Sequence, residues 1–232
     1  MDGVSDAIRF KALGVSDGDL YIGSTSDIAA VQAGLIGRVT GSLYIVETGL
    51  ANVDGLGSIL EVMGDVEVSY NHSLTNLDGL SSLRYVGGSV ALWDNPILSS
   101  TSIFPSLTEI PSNLTVGAGA KVFGMPALQT VGGELVAGGS GEGGNTVLQE
   151  LRLPALVSVG AMTIYGNYAL TTVQLPLLRE ATSEYSPGYA PPAPTARRDF
   201  VADLPAPGQA MERGAEQRRA QAEASEARRT ER

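Results

Sequence analysis

Leu80-Ser81-Ser82-Leu83-Arg84-Tyr85-Val86 is one copy of a phrase that recurs along the chain: apolar, small or Pro, small, Leu or Ile, any, any, apolar. Ahead of it stands Leu56-Gly57-Ser58-Ile59-Leu60-Glu61-Val62, and behind it Phe104-Pro105-Ser106-Leu107-Thr108-Glu109-Ile110. Met125-Pro126-Ala127-Leu128-Gln129-Thr130-Val131, Leu153-Pro154-Ala155-Leu156-Val157-Ser158-Val159 and Leu175-Pro176-Leu177-Leu178-Arg179-Glu180-Ala181 continue the series. A looser copy, Ala33-Gly34-Leu35-Ile36-Gly37-Arg38-Val39, opens it. Successive copies start 23, 24, 24, 21, 28 and 22 residues apart, a phase that chance does not hold over seven copies. Such self-similarity marks a solenoid, in which each unit has too few neighbours to bury its leucines alone and must stack on the next.

Each phrase is followed by a turn and a short alternating strand: Gly41-Ser42-Leu43-Tyr44-Ile45, Gly64-Asp65-Val66-Glu67-Val68, Gly88-Ser89-Val90-Ala91-Leu92, Asn113-Leu114-Thr115-Val116, Glu134-Leu135-Val136-Ala137 and Met162-Thr163-Ile164. Asp19-Leu20-Tyr21-Ile22 starts this second series. A period of two sends Leu43, Ile45, Val66, Val68, Val90 and Leu92 to one face, and Tyr44, Glu67 and Ala91 to the other. Neighbouring strands then pair in parallel about 4.8 Å apart. Beyond most strands an Asn appears with a Leu three residues on: Asn71/Leu74, Asn95/Leu98, Asn145/Leu148 and Asn167/Leu170. An Asn turned inward at a corner satisfies backbone groups that the turn would otherwise bury unpaired. Asn71, Asn95, Asn145 and Asn167 are therefore expected to form a structural ladder. Gly117-Ala118-Gly119-Ala120-Lys121 replaces the Asn in one coil, and Gly138-Gly139-Ser140-Gly141-Glu142-Gly143-Gly144 lengthens another; with no helix after it and no Gly-Lys-Ser/Thr, that glycine run is expected to be a loop insertion, not a phosphate cradle.

The back of each unit carries Gly, Ser or Pro, as in Asp78-Gly79-Leu80-Ser81-Ser82 and Met125-Pro126-Ala127, and these oppose helix. The one exception is Ser26-Asp27, positioned to cap a short helix over Ile28-Ala29-Ala30-Val31-Gln32-Ala33 that would close the open end of the stack. The expected fold is mainly β: a right-handed parallel β-helix or leucine-rich solenoid of about seven coils of ~23 residues, with a short N-terminal capping helix and a disordered C-terminal tail. In domains, 1–16 is an N-terminal lead-in, 17–183 the solenoid, and 184–232 a Pro-rich linker and Ala/Glu/Arg-rich tail. The tail is expected to be disordered, with Phe200-Val201-Ala202-Asp203-Leu204 as the alternative of a cover for the last coil.

Asp19-Leu20-Tyr21-Ile22, the helix after Ser26-Asp27, Val39-Thr40-Gly41-Ser42-Leu43-Tyr44-Ile45 and Leu74-Thr75-Asn76-Leu77-Asp78-Gly79-Leu80-Ser81-Ser82-Leu83 together resemble the receptor L domain. That family is the leucine-rich right-handed β-helix of insulin- and EGF-type receptor ectodomains, found also in fungal wall and bacterial surface proteins. The resemblance covers roughly residues 17 to 182 and implies recognition of a polypeptide or wall component at the cell surface or outside the cell, without catalysis. This chain departs from the family in having no cysteine and in opening on Met1-Asp2-Gly3-Val4-Ser5-Asp6, which is acidic where a secretory leader is basic and then apolar.

Composition narrows the chemistry. The chain has 232 residues, 43% of them apolar, which is enough to fill a core, and 29 Gly, which suits many turns. With no Cys, thiolate sites are excluded; one His leaves little room for imidazole clusters or Ser/His/Asp hydrolysis, and no cofactor is implied. Residues 1–183 carry 17 acidic and 7 basic side chains, whereas 184–232 carry 8 of each, so the whole imbalance lies in the repeats. An acidic body disfavours nucleic acid, and no apolar run reaches the ~18 residues of a membrane span.

Candidate binding residues are Tyr21, Tyr44, Glu67 and Trp93. Tyr21 and Tyr44 hold equivalent outward positions on adjacent rungs, where they should stack beside Glu67 as cross-strand stabilisers or as a binding platform. Trp93 is a solitary aromatic two residues before an Asn corner. Asp65 and Glu67, about 7 Å apart along one strand, make a carbohydrate-active β-helix the alternative to a non-enzymatic binding or scaffold module; a truncated, inactive fragment is a third possibility. His72 has the look of an exposed corner residue. Asn71-His72-Ser73 and Asn113-Leu114-Thr115 match the glycosylation sequon, but Asn71 belongs to the ladder, where a glycan has no room.

Overall fold

The computed structural model describes residues 9–10, 14–117, 121–138, 147–167 and 169–185. They form a parallel β-solenoid of about seven turns. Its long sheet has the strand order Leu20–Tyr21, Leu43–Val46, Val66–Ser69, Val90–Trp93, Leu114–Val116, Thr130–Gly138, Ser158–Tyr165 and Glu180–Tyr185, each parallel to the next. A second sheet runs along the N-terminal half through the phrase ends Arg38–Val39, Glu61–Val62 and Tyr85–Val86. A third, Val122–Gly124, Glu150–Arg152 and Thr172–Gln174, occurs only in the C-terminal half.

Stacking follows the periodicity. Leu20, Leu43, Val66, Val90, Leu114 and Leu135 form one fully buried column beneath the long sheet, and Ile59, Leu83, Leu107, Leu128 and Leu156 of the phrases form another. Each buried aliphatic side chain contributes roughly 1.5–3 kcal/mol of transfer free energy, and each is buried by its counterparts one coil away. The coils therefore have no stability singly.

The expected helix extends over Thr25–Ala33, which we label α1. Ser24 and Asp27 make a capping box at its start, and Ile28 and Val31 face the core. Gly55 of the following coil lies so close under α1 that an added Cβ would stand 2.4 Å from the Gln32 side chain. The helix thus covers the open N-terminal end of the stack. Ahead of it, Val15–Asp17 pairs in parallel with Arg38–Val39 and antiparallel with Arg9–Phe10, so part of the stretch expected as a lead-in already belongs to the second sheet. The tail from residue 186, the Asn145 corner and most of the Gly138–Gly144 insertion lie outside the described residues.

Candidate functional site

The outward face of the long sheet is a flat register of side chains. One row runs Tyr21, Tyr44, Glu67, Ala91, Thr115, Val136, Thr163, and a second row, two residues further along the strands, includes Val46, Ser69 and Trp93. The predicted stack is present: the Tyr21 and Tyr44 rings lie 4.8 Å apart and within 15° of parallel. Tyr21 remains 45% exposed, so the pair presents an aromatic surface to solvent while adding about 0.5–1.5 kcal/mol of ring contact between coils. Partial withdrawal of the Tyr21 phenol from water, then the charges of Asp19 and Tyr44, raise its pKa above the ordinary tyrosine value. Glu67 sits next to Tyr44 in register, and its Oε1 accepts a 2.8 Å hydrogen bond from Ser69 Oγ.

Trp93 is not solitary. Tyr70 packs on it edge-to-face with ring centroids 4.5 Å apart and planes at 67°. The contact depends on the backbone, because Tyr70 has φ of +57°, which turns the chain sharply at the strand end. Glu47 (+54°) and Asp94 (+52°) hold the same corner position in neighbouring coils. A third aromatic, Tyr165, lies over Gly138, where an added Cβ would meet the ring at 2.6 Å. Neither partner was among the expected site residues. Tyr70 carried no sequence signal, since a bulky residue is uncommon in the left-handed region.

Asn71 and Asn95 are hydrogen-bonded to one another across adjacent coils. Asn71 is fully buried, accepts from the Thr48 amide (2.9 Å) and hydroxyl (2.8 Å), and donates to the Ile45 carbonyl (2.7 Å) and to Asn95 Oδ1 (3.1 Å). Asn95 donates to the Val68 carbonyl, and Asn167 to those of Ala137 and Tyr165. Thr48 is an additional member, substituting for Asn in its coil. Buried Asn71 leaves no room for a glycan, whereas Asn113 is exposed.

A second ladder was legible but unread. Ser42 N donates to Asp19 Oδ1, Asp65 N to Ser42 Oγ, Ser89 N to Asp65 Oδ1, Asn113 N to Ser89 Oγ and Glu134 N to Asn113 Oδ1. A short side-chain oxygen just before each strand receives the amide of its counterpart one coil on. Asp65, half of the paired carboxylates, is thereby engaged in holding the corner. His72 is an exposed corner residue whose Nε2 lies 4.0 Å from Asp94 Oδ2.

Among the described residues no three His, Asp or Glu side chains converge as a metal-ligand set, and no helix is long and apolar enough to cross a membrane. What the site offers is a rigid sheet with two aromatic pairs about two rungs apart and a carboxylate between them. Comparison of the chain with protein-family models, curated proteins and solved structures found no match.

Proposed function

We propose that this chain is a non-enzymatic recognition or scaffold module that holds a protein or cell-wall partner against the outward face of its long sheet. The observation that carries this reading is the exposed parallel stack of Tyr21 on Tyr44 beside Glu67, with the Tyr70–Trp93 pair on the same face. Aromatic side chains held rigid by a sheet lose little conformational entropy on contact and supply much of the energy at interfaces. Glu67 adds a charge that selects for a hydrogen-bond donor or cation. The likeness to receptor L domains favours recognition of a polypeptide or wall component and a location at or beyond the cell surface.

The test is binding to a panel of secreted polypeptides and insoluble wall polysaccharides, measured for the wild-type chain and for Tyr21→Ala/Tyr44→Ala. Loss of both rings should weaken the wild type's partner by at least about tenfold, the scale of an interface hot spot, with the circular dichroism spectrum unchanged. Unaltered affinity in a folded double variant would reject this face. Release of sugar fragments, abolished by Glu67→Gln, would establish the carbohydrate-active alternative instead.

A further inference from the structure

The two ends of the solenoid are finished differently: α1 covers the first, whereas at the last coil Thr172–Gln174 is the edge of the third sheet and Leu177 is 50% exposed. The hydrogen bonds there break off in mid-series. Ile103 N donates to the Gly124 carbonyl, Met125 N to that of Arg152 and Leu153 N to that of Gln174. Next in line is Leu175, only 6% exposed, and its amide has no acceptor among the described residues. Likewise Gln149 donates to the Lys121 carbonyl and Thr171 to that of Gln149, yet no described donor reaches Thr171 O. A buried amide without a partner costs roughly 1–3 kcal/mol.

The chain contains a segment with the matching pattern. The third-sheet strands run into the phrase as Val122-Phe123-Gly124-Met125-Pro126-Ala127, Glu150-Leu151-Arg152-Leu153-Pro154-Ala155 and Thr172-Val173-Gln174-Leu175-Pro176-Leu177. In the tail stands Val201-Ala202-Asp203-Leu204-Pro205-Ala206. Leu204 follows Leu175 by 29 residues, one more than the longest spacing between phrase copies. The inward residue of the strand shrinks along the series, Phe123, Leu151, Val173 and then Ala202, as a closing rung requires. Pro207 stands where the phrase needs its central Leu, so the pattern adds a strand and stops.

We propose that residues 201–206 of the chain's own tail dock as the closing strand of the third sheet, beside Thr172–Gln174, with Leu204 on Leu175 and the Asp203 carbonyl accepting the Leu175 amide. The occupant is intramolecular because the last described strand ends at Tyr185 and 15 residues separate it from position 201, enough chain at about 3.3 Å each to cross the end of the stack. Such a strap protects an edge that would otherwise pair with other chains.

Hydrogen exchange on the 232-residue chain reads this directly. In the wild type the Leu175 amide should exchange at least about tenfold more slowly than in Leu204→Asp, while amides of Val66–Ser69 stay unchanged. A second measurement uses the absence of native cysteine: Gln174→Cys/Asp203→Cys should close an intramolecular disulfide under mild oxidation, whereas Gln174→Cys/Ala222→Cys should not. Equal exchange in wild type and Leu204→Asp, or equal cross-linking in both cysteine pairs, would overturn the proposal. So would Leu175 protection that rises with protein concentration, since a second copy would then be the occupant.

Discussion

The N-terminal and C-terminal halves of this solenoid bury the same column of aliphatic side chains but close their corners by different means. In the first half the chain turns from phrase to long sheet at a Gly followed by a side-chain oxygen, and leaves the sheet through a left-handed residue followed by Thr48, Asn71 or Asn95. In the second half Thr130–Gly138 and Ser158–Tyr165 run straight through the first corner, with a register shift between Val131 and Glu134, and the third side becomes a sheet. Every corner backbone group needs a partner. Side chains provide many of them in the first half, and strand extension does much of that work in the second. The side-chain solution frees a short, flat strand face, and both aromatic pairs are found there.

Substitutions at equivalent corners test this contrast. Asn71→Ala removes two acceptor and two donor contacts in the buried ladder and should cost about 4 kcal/mol, whereas Asn167→Ala, whose Oδ1 has no partner among the described residues, should cost about half that. Urea denaturation of both variants measures the difference, and equal losses would mean that the ladder is no more important in the first half. Gly79→Ala places a Cβ 1.9 Å from the Val53 carbonyl oxygen and should cost about 3 kcal/mol by forcing adjacent coils apart. Gly49→Ala meets nothing within 4 Å and should be neutral or slightly stabilising in the same assay. One further substitution should give a gain. Ser16 occupies the inward row of Val39, Val62 and Val86 with a buried hydroxyl that has no partner among the described residues, so Ser16→Val should stabilise by about 1 kcal/mol, seen as a higher Tm.

Much of this was legible. The phrase spacing predicted which leucines pile up, the period of two predicted which strand residues face out, and Tyr21 and Tyr44 were predicted to stack because equal positions on parallel strands face each other. Trp93 was misread as solitary because its partner Tyr70 reaches it through a left-handed turn that no residue type announces. The second ladder was written as Asp19, Ser42, Asp65, Ser89 and Asn113 at regular spacing, but the varied residue types hid a common role. Any short side-chain oxygen will accept the amide there. The fusion of strands in the C-terminal half had no signal, because Gly132-Gly133 fits a turn as well as a bulge.

By itself the sequence determined the column: an apolar side chain repeated every ~23 residues has only its own counterparts to pack against, so period alone dictates stacking. How each corner is paired and which surface aromatics meet came from the packing of one coil on the next. Those outcomes depend on hydrogen-bond geometry and backbone angles between coils, and distance along the chain does not encode them.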